Sequence, residues 1–180
     1  METTRIVFSG SGGQGVITAA IILGEAAALH EGLNAVQTQS YGPEARGGAT
    51  RADVVISQHP IRYPKVISPH VLVCLTQEAY NKYSGIGRPG GLLIIDSQLV
   101  TPAKKSDARQ VALPMYQAVM EAIGNPVVFN ICMLGALVGL TSLVKPESLW
   151  RAVQSKIPPA FLEINQRALE LGGELASSVR

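Results

Sequence analysis

Charge is scarce in this chain. Only 16% of its 180 residues are Asp, Glu, Lys or Arg, against about 25% in an average soluble domain, while 47% are hydrophobic. Little of the surface can be clothed in charge, so part of it is expected to be covered by another chain. Aromatic residues make up only 5%, and 15 basic against 13 acidic residues leave a net charge of +2. That balance excludes the electrostatic footprint of a nucleic-acid binder, and there are few rings on which bases could stack.

Cysteine is nearly absent too. Cys74 and Cys132 alone cannot build a disulfide framework, and they exclude an all-cysteine iron-sulfur or zinc site made by this chain by itself. Both sit in apolar runs, Val-Leu-Val-Cys-Leu and Asn-Ile-Cys-Met-Leu, where a thiol is normally buried and inert. No export signal is credible either, because Gly10, Gly12, Gly13 and Gly15 interrupt any apolar leader core almost at once. A reduced, cytoplasmic protein is the simplest expectation.

One long apolar run is present, Val127 to Val144, without a single charge. It contains Asn130, Thr141 and Ser142, with Gly135 and Gly139 spaced for close helix contact, so it reads as a helix buried in protein and not as a membrane span. Together with the low charge it also predicts a large apolar surface that a partner covers. Asn130 within it needs a hydrogen-bond partner if buried.

Elsewhere strands alternate with helices. Strands are expected at Arg5–Phe8, Ala35–Thr38, Ala52–Ser57, Val71–Leu75, Leu92–Ile95 and Val111–Leu113, and a short extended piece around Ile61. Helices are expected at Val16–Leu29, near Gln77–Lys82, and then in succession at Pro114–Ile123, Val127–Leu143, Pro146–Lys156 and from Pro158 to about Ala176. The prolines at 114, 126, 146 and 158 suit first-turn positions. The first strand, helix and second strand form a βαβ unit. The expectation is one α/β domain spanning residues 1–180, a three-layer α/β/α fold with a mixed, largely parallel sheet and a helical C-terminal third.

The strongest local signal is Gly10-Ser11-Gly12-Gly13-Gln14-Gly15, between the first strand and the first helix. Glycines so placed allow a tight turn and let backbone N–H groups at a helix start meet a phosphate. Ordinary NAD binding loses ground, because Thr38, Gln39 and Ser40 stand where an acidic residue would hold the ribose. ATP or GTP hydrolysis is not supported either, because Val16 and Ile17 replace the Lys and Ser/Thr of a P-loop. Phosphate binding without nucleotide chemistry survives, beside the alternative that the glycines serve only strand-helix packing. A second loop, Ser40-Tyr41-Gly42-Pro43-Glu44-Ala45-Arg46-Gly47-Gly48, leaves the second strand where α/β sheets place ligands. Arg46 there either offers a planar fork to an anion or makes an exposed ion pair with Glu44.

The two glycine motifs in this order, an apolar strand, and Asn130 in a glycine-containing helix together resemble the gamma subunit, or gamma domain, of the 2-oxoacid:ferredoxin oxidoreductases. The likeness covers nearly the whole chain and is greatest to the stand-alone gamma subunit of 2-oxoglutarate:acceptor oxidoreductase. It implies a heteromeric enzyme that decarboxylates a 2-oxoacid on thiamine diphosphate, passes electrons through iron-sulfur clusters to ferredoxin, and transfers the acyl group to coenzyme A. This chain has no Gly-Asp-Gly element and no cysteine cluster, so thiamine diphosphate, its Mg ion and the clusters would lie on partner alpha, beta and iron-sulfur (delta) subunits. By the resemblance, Gly12, Gly13, Gln14, Gly15 and Val16 contact coenzyme A, Asn130 and Asn165 reach the same ligand, and Arg46 lies in a loop that supplies a basic contact in some relatives. No residue is assigned a catalytic or metal-binding role. His70 departs from the family, which usually has an acidic residue before the Val-Leu-Val strand. Two other readings stand beside this one: an independent phosphate- or nucleotide-binding module, and a purely structural bridging subunit.

Overall fold

The computed structural model describes residues 2–40, 48–103 and 106–179. Its four inner strands are apolar on both faces, as strands sandwiched between two layers must be, while the two edge strands are more polar. In β1 (Thr4–Gly10), Ile6 and Phe8 enter one core while Val7 enters the other. The same alternation runs through β3 (Thr50–Ser57), β4 (Val71–Cys74) and β5 (Leu92–Asp96). With β2 (Asn34–Gln39) and β6 (Arg109–Leu113) they form a six-stranded sheet in the order β2-β3-β1-β4-β5-β6.

The pairings β1–β4, β4–β5 and β5–β6 are parallel, whereas β3 runs antiparallel to both β1 and β2. The sheet is therefore mixed, as the α/β reading anticipated, but the first βαβ unit is split. β1 and β2 run in one direction with β3 inserted between them. No strand forms at Ile61, which packs instead against the smaller core.

The two outer layers are unequal. One face of the sheet is covered by α1 (Val16–Glu25), α3 (Met115–Ala122), α4 (Phe129–Thr141), α5 (Pro146–Lys156) and α6 (Leu162–Ser177). The other is covered by α2 (Gln77–Tyr83), through Ala79, Tyr80 and Tyr83, with loop residues such as Val66 and Val100. The helix expected at Val16–Leu29 is α-helical only to Glu25 and finishes as a π-helical turn, Ala26–His30, before Gly32 turns the chain at φ +65°. Pro146 begins α5, while Pro126 and Pro159 begin short 3-10 turns leading into α4 and α6. Pro114 stands just before the first turn of α3 and Pro158 just before the 3-10 turn ahead of α6, and neither lies within the turn it precedes.

The uncharged helix gives a correction. Every residue from Phe129 to Val138 is buried, and the cover is supplied by this chain itself. A Cβ at Gly135 would strike the carbonyl of Leu169, and one at Gly172 the carbonyl of Cys132. Small residues let the backbones of α4 and α6 touch, so an apolar helix is enclosed without leaving a large exposed face. Among the described residues the exposed large hydrophobics are Leu29, Tyr63, Ile67, Met120, Val127, Phe161 and Val179, none of them on the buried Phe129–Val138 stretch of α4. Among the described residues no helix is long and apolar enough to cross a membrane.

Candidate functional site: a strand-turn-helix cradle

The Gly-rich segment joins the C-terminal end of β1 to the start of α1. Its glycines divide by cause. A Cβ on Gly10 would lie 2.5 Å from Gln14 Oε1 and 3.3 Å from Leu75 Cβ, and one on Gly15 would lie 2.5 Å from Asn130 Nδ2. Those two glycines are explained by packing, and Gly15 additionally sits at φ +70°, ψ +24° as it leads into the helix. Gly13 has φ +87°, a conformation that costs an L-residue about 1–2 kcal/mol. Gly12 has neither reason: nothing lies within 4 Å of the position a Cβ would take, and its φ is not in the left-handed region. A glycine that the fold itself does not require, exposed on the turn ahead of a helix, is what a close-approaching ligand needs.

The turn is held from inside. Gln14 folds back so that its Oε1 accepts the Ser11 backbone N–H at 2.8 Å, and its own N–H donates to the Ser11 carbonyl at 3.3 Å. Asn130, on the first turn of α4 and 7% exposed, donates from Nδ2 to the Gly15 carbonyl at 3.3 Å. That carbonyl also accepts the first bond of α1, from Ala19 N–H at 2.9 Å. Val16 is buried in the larger core, so its side chain faces away and only its backbone N–H is presented at the helix start. No side chain caps α1, and the N–H groups of a helix's first turn have no partner within the helix.

Asn165 is brought level with this cluster but not into it. Gly135 packs against Leu169 and Gly139 against Ala176, so α4 and α6 run side by side in the same direction and Asn165 lies toward their shared starting end. The Asn165 Nδ2 donates to Phe161 O at 2.8 Å, four residues back in its own chain. The starts of α1, α4 and α6 thus gather at one edge of the sheet, each presenting the positive end of a helix dipole. Asp96, fully buried at the end of β5, is committed elsewhere: its oxygens accept from the N–H groups of Gln98, Leu99 and Tyr116 at 2.9, 3.1 and 2.8 Å. Arg51 is committed as well, bidentate to Asp53 at 2.7 and 2.9 Å and donating to Val66 O.

The second loop of interest starts and ends at the same edge. Thr50 pairs with Gly10, and Ser40 N–H donates to Arg51 O at 3.2 Å. Arg46 and Glu44 lie outside the described residues. Sequence reasoning missed Val127 and Phe161, 70% and 49% exposed on the turns before α4 and α6. A hydrophobic pattern assigns such residues to the core, and only the parallel packing of the two helices shows that they share the end that carries the cradle. His70 is at the other end, half-buried, with Nδ1 accepting the Arg5 backbone N–H at 3.0 Å. Burial, with Arg88 and Arg5 nearby, lowers its pKa. Among the described residues no three His, Cys, Asp or Glu side chains are grouped as a metal site would require.

These features define an α/β/α domain with an exposed glycine-rich turn between β1 and α1 at one edge of its sheet. The chain belongs to the pyruvate ferredoxin/flavodoxin oxidoreductase family, whose model matches residues 5–175. It is 47% identical over 177 residues to 2-oxoglutarate synthase subunit KorC of Methanocaldococcus jannaschii, covering 97% of this chain and 95% of that one. Its fold matches a keto/oxoacid ferredoxin oxidoreductase gamma subunit from Geobacter sulfurreducens with a TM-score of 0.89 at 42% identity, over 97% and 99% of the two chains. A 2-oxoglutarate:ferredoxin oxidoreductase from Magnetococcus marinus, with 2-oxoglutarate, coenzyme A and succinyl-CoA bound, contains the same fold. There the TM-score is 0.89 at 21% identity, over all of this chain and 32% of the longer one.

Proposed function

We propose that this chain is the gamma subunit of a heteromeric 2-oxoglutarate:ferredoxin oxidoreductase and that its own task is to bind and orient coenzyme A. The observation that carries the reading is Gly12, which has open space around it and no backbone reason to be glycine. A diphosphate laid against the Gly12–Val16 turn would meet backbone N–H groups and the start of α1, at the edge where Asn130 braces the loop. Gly12, Gly13, Gly15 and the N–H of Val16 form the contact surface, and Gln14 and Asn130 hold its shape. Asn165 on α6 and Arg46 are assigned to the same ligand by the family resemblance. Orientation of this kind converts an encounter into an intramolecular step.

The cradle is exposed, so it covers one side of a ligand only. The other side belongs to partner alpha and beta subunits, which carry thiamine diphosphate and Mg, and electrons leave through iron-sulfur clusters on a delta subunit to ferredoxin. Similarity to KorC across the full length favours this over an independent binding module, and the space around Gly12 favours it over a purely structural bridge. The assembly is cytoplasmic.

Reconstitution tests the reading. The purified chain alone should not reduce ferredoxin or a viologen dye with 2-oxoglutarate and coenzyme A, and adding it to its partner subunits should restore turnover. Turnover by the pure chain, or full activity of the partners without it, would contradict the proposal.

A further inference from the structure

The edge of the sheet opposite the cradle carries a feature that coenzyme A binding does not use. Arg5 lies near the start of β1, while His70 immediately precedes β4 and Arg88 lies just ahead of β5. With Lys65, Tyr63 and Ile67 they line an open concavity of about 570 Å³. Tyr63 and Ile67 are 56% and 69% exposed. Among the described residues no Asp or Glu lines this concavity, and Glu2 is the acidic residue whose charge acts on His70.

His70 shows how far donors exceed acceptors here. Its Nδ1 accepts the Arg5 backbone N–H, which in a neutral imidazole leaves the proton on Nε2. That Nε2 faces the guanidinium of Arg88, so a donor meets a donor at the wall of the concavity. A carboxylate placed there would accept from both and pair with Lys65.

We propose that this concavity docks a carboxylate-bearing segment of a partner subunit, an inference that rests on the assembly proposed above. The walls favour protein over a small anion. Arginine beside an exposed aromatic and an exposed aliphatic side chain is the composition of interface centres, whereas small phosphates are held in tight backbone nests. Placed at the far edge, the contact leaves the Gly-rich cradle free for its ligand.

The experiment uses the co-expressed complex. Zero-length carbodiimide coupling followed by mass spectrometry should join Lys65 to an Asp or Glu of a partner subunit. Lys65→Glu with Arg88→Glu should weaken association about tenfold at low salt and less at high salt. Lys65→Arg should keep the association while losing the cross-link, and coenzyme A dependence of the complexes that do form should stay unchanged. A wild-type complex with no Lys65 cross-link, together with normal assembly of the double-Glu variant, would overturn the docking proposal alone. So would tripolyphosphate binding to the isolated chain that disappears in the double-Glu variant while assembly does not change. Failure of the wild-type chain to assemble with any thiamine-binding subunit would overturn this inference and the proposed function together.

Discussion

Asn130→Ala separates two roles that one amide could play. Its Nδ2 touches the Gly15 carbonyl at 3.3 Å, but that oxygen also accepts from Ala19 N–H at 2.9 Å, so truncation strands no acceptor. The loss is then one neutral hydrogen bond, about 0.5–1.5 kcal/mol, plus a small cavity where the amide lay under Gly15. A total of about 1–2 kcal/mol follows, which at roughly 2–4 °C per kcal/mol for a chain of this size is a measurable fall in Tm. The turn also loses its brace, so the coenzyme A requirement of the assembled enzyme should rise about threefold to tenfold, or about 0.7–1.4 kcal/mol, with the 2-oxoglutarate requirement unchanged. Asn130→Asp should be worse on both counts, because a carboxylate oxygen would face the Gly15 carbonyl in a nearly buried position. Denaturant unfolding of the purified chain and steady-state kinetics of the complex read the two effects. Full stability combined with collapse of coenzyme A use would refute the bracing argument and make the amide a direct ligand contact. No change in either would remove Asn130 from the site altogether.

Gly172→Ala should destabilise by about 1–3 kcal/mol through overpacking against the Cys132 carbonyl; denaturant titration checks it, and a loss below about 0.3 kcal/mol would refute the backbone contact between α4 and α6. Burial pushes the thiols of Cys74 and Cys132 up to about 12. Both should therefore stay protonated and unreactive toward a disulfide reagent from pH 6 to 9 in the native chain and react only after denaturation, and rapid native labelling of either would contradict the packing described.

Much of this architecture was legible in the amino-acid order. Apolar strands bounded by glycine and proline, and prolines near the starts of the later helices, follow from local sterics, and the sheet and helical third lie close to where those signals fall. The insertion of β3 between β1 and β2 was not legible, because strand order is decided by long-range pairing such as Val36 with Val55 and Arg5 with Val55. The burial of α4 was legible in its uncharged run, but what covers it was not: a partner was expected, whereas the cover comes from Gly172 and its neighbours on α6, far along the chain. At the site, the glycine spacing announced the turn, but it could not distinguish Gly10 and Gly15, which fit beside neighbours, from Gly12, which does not. Nor could it show Gln14 bonded to Ser11, or Asn165 turned to Phe161.

On the proposed function, the Gly12–Val16 turn receives the diphosphate of coenzyme A. Gly13→Val would test it poorly, because φ +87° already strains any side chain there, whereas Gly12→Val adds a side chain into open space and should leave Tm unchanged. The decisive measurement is calorimetric binding of coenzyme A and of pantetheine, which lacks the diphosphate, to the assembled complex with Gly12 or Val at this position. Gly12→Val should weaken coenzyme A binding about tenfold or more, a loss of about 1.4 kcal/mol, and leave pantetheine binding unchanged. Equal coenzyme A affinity in a folded, assembled Gly12→Val complex would contradict it.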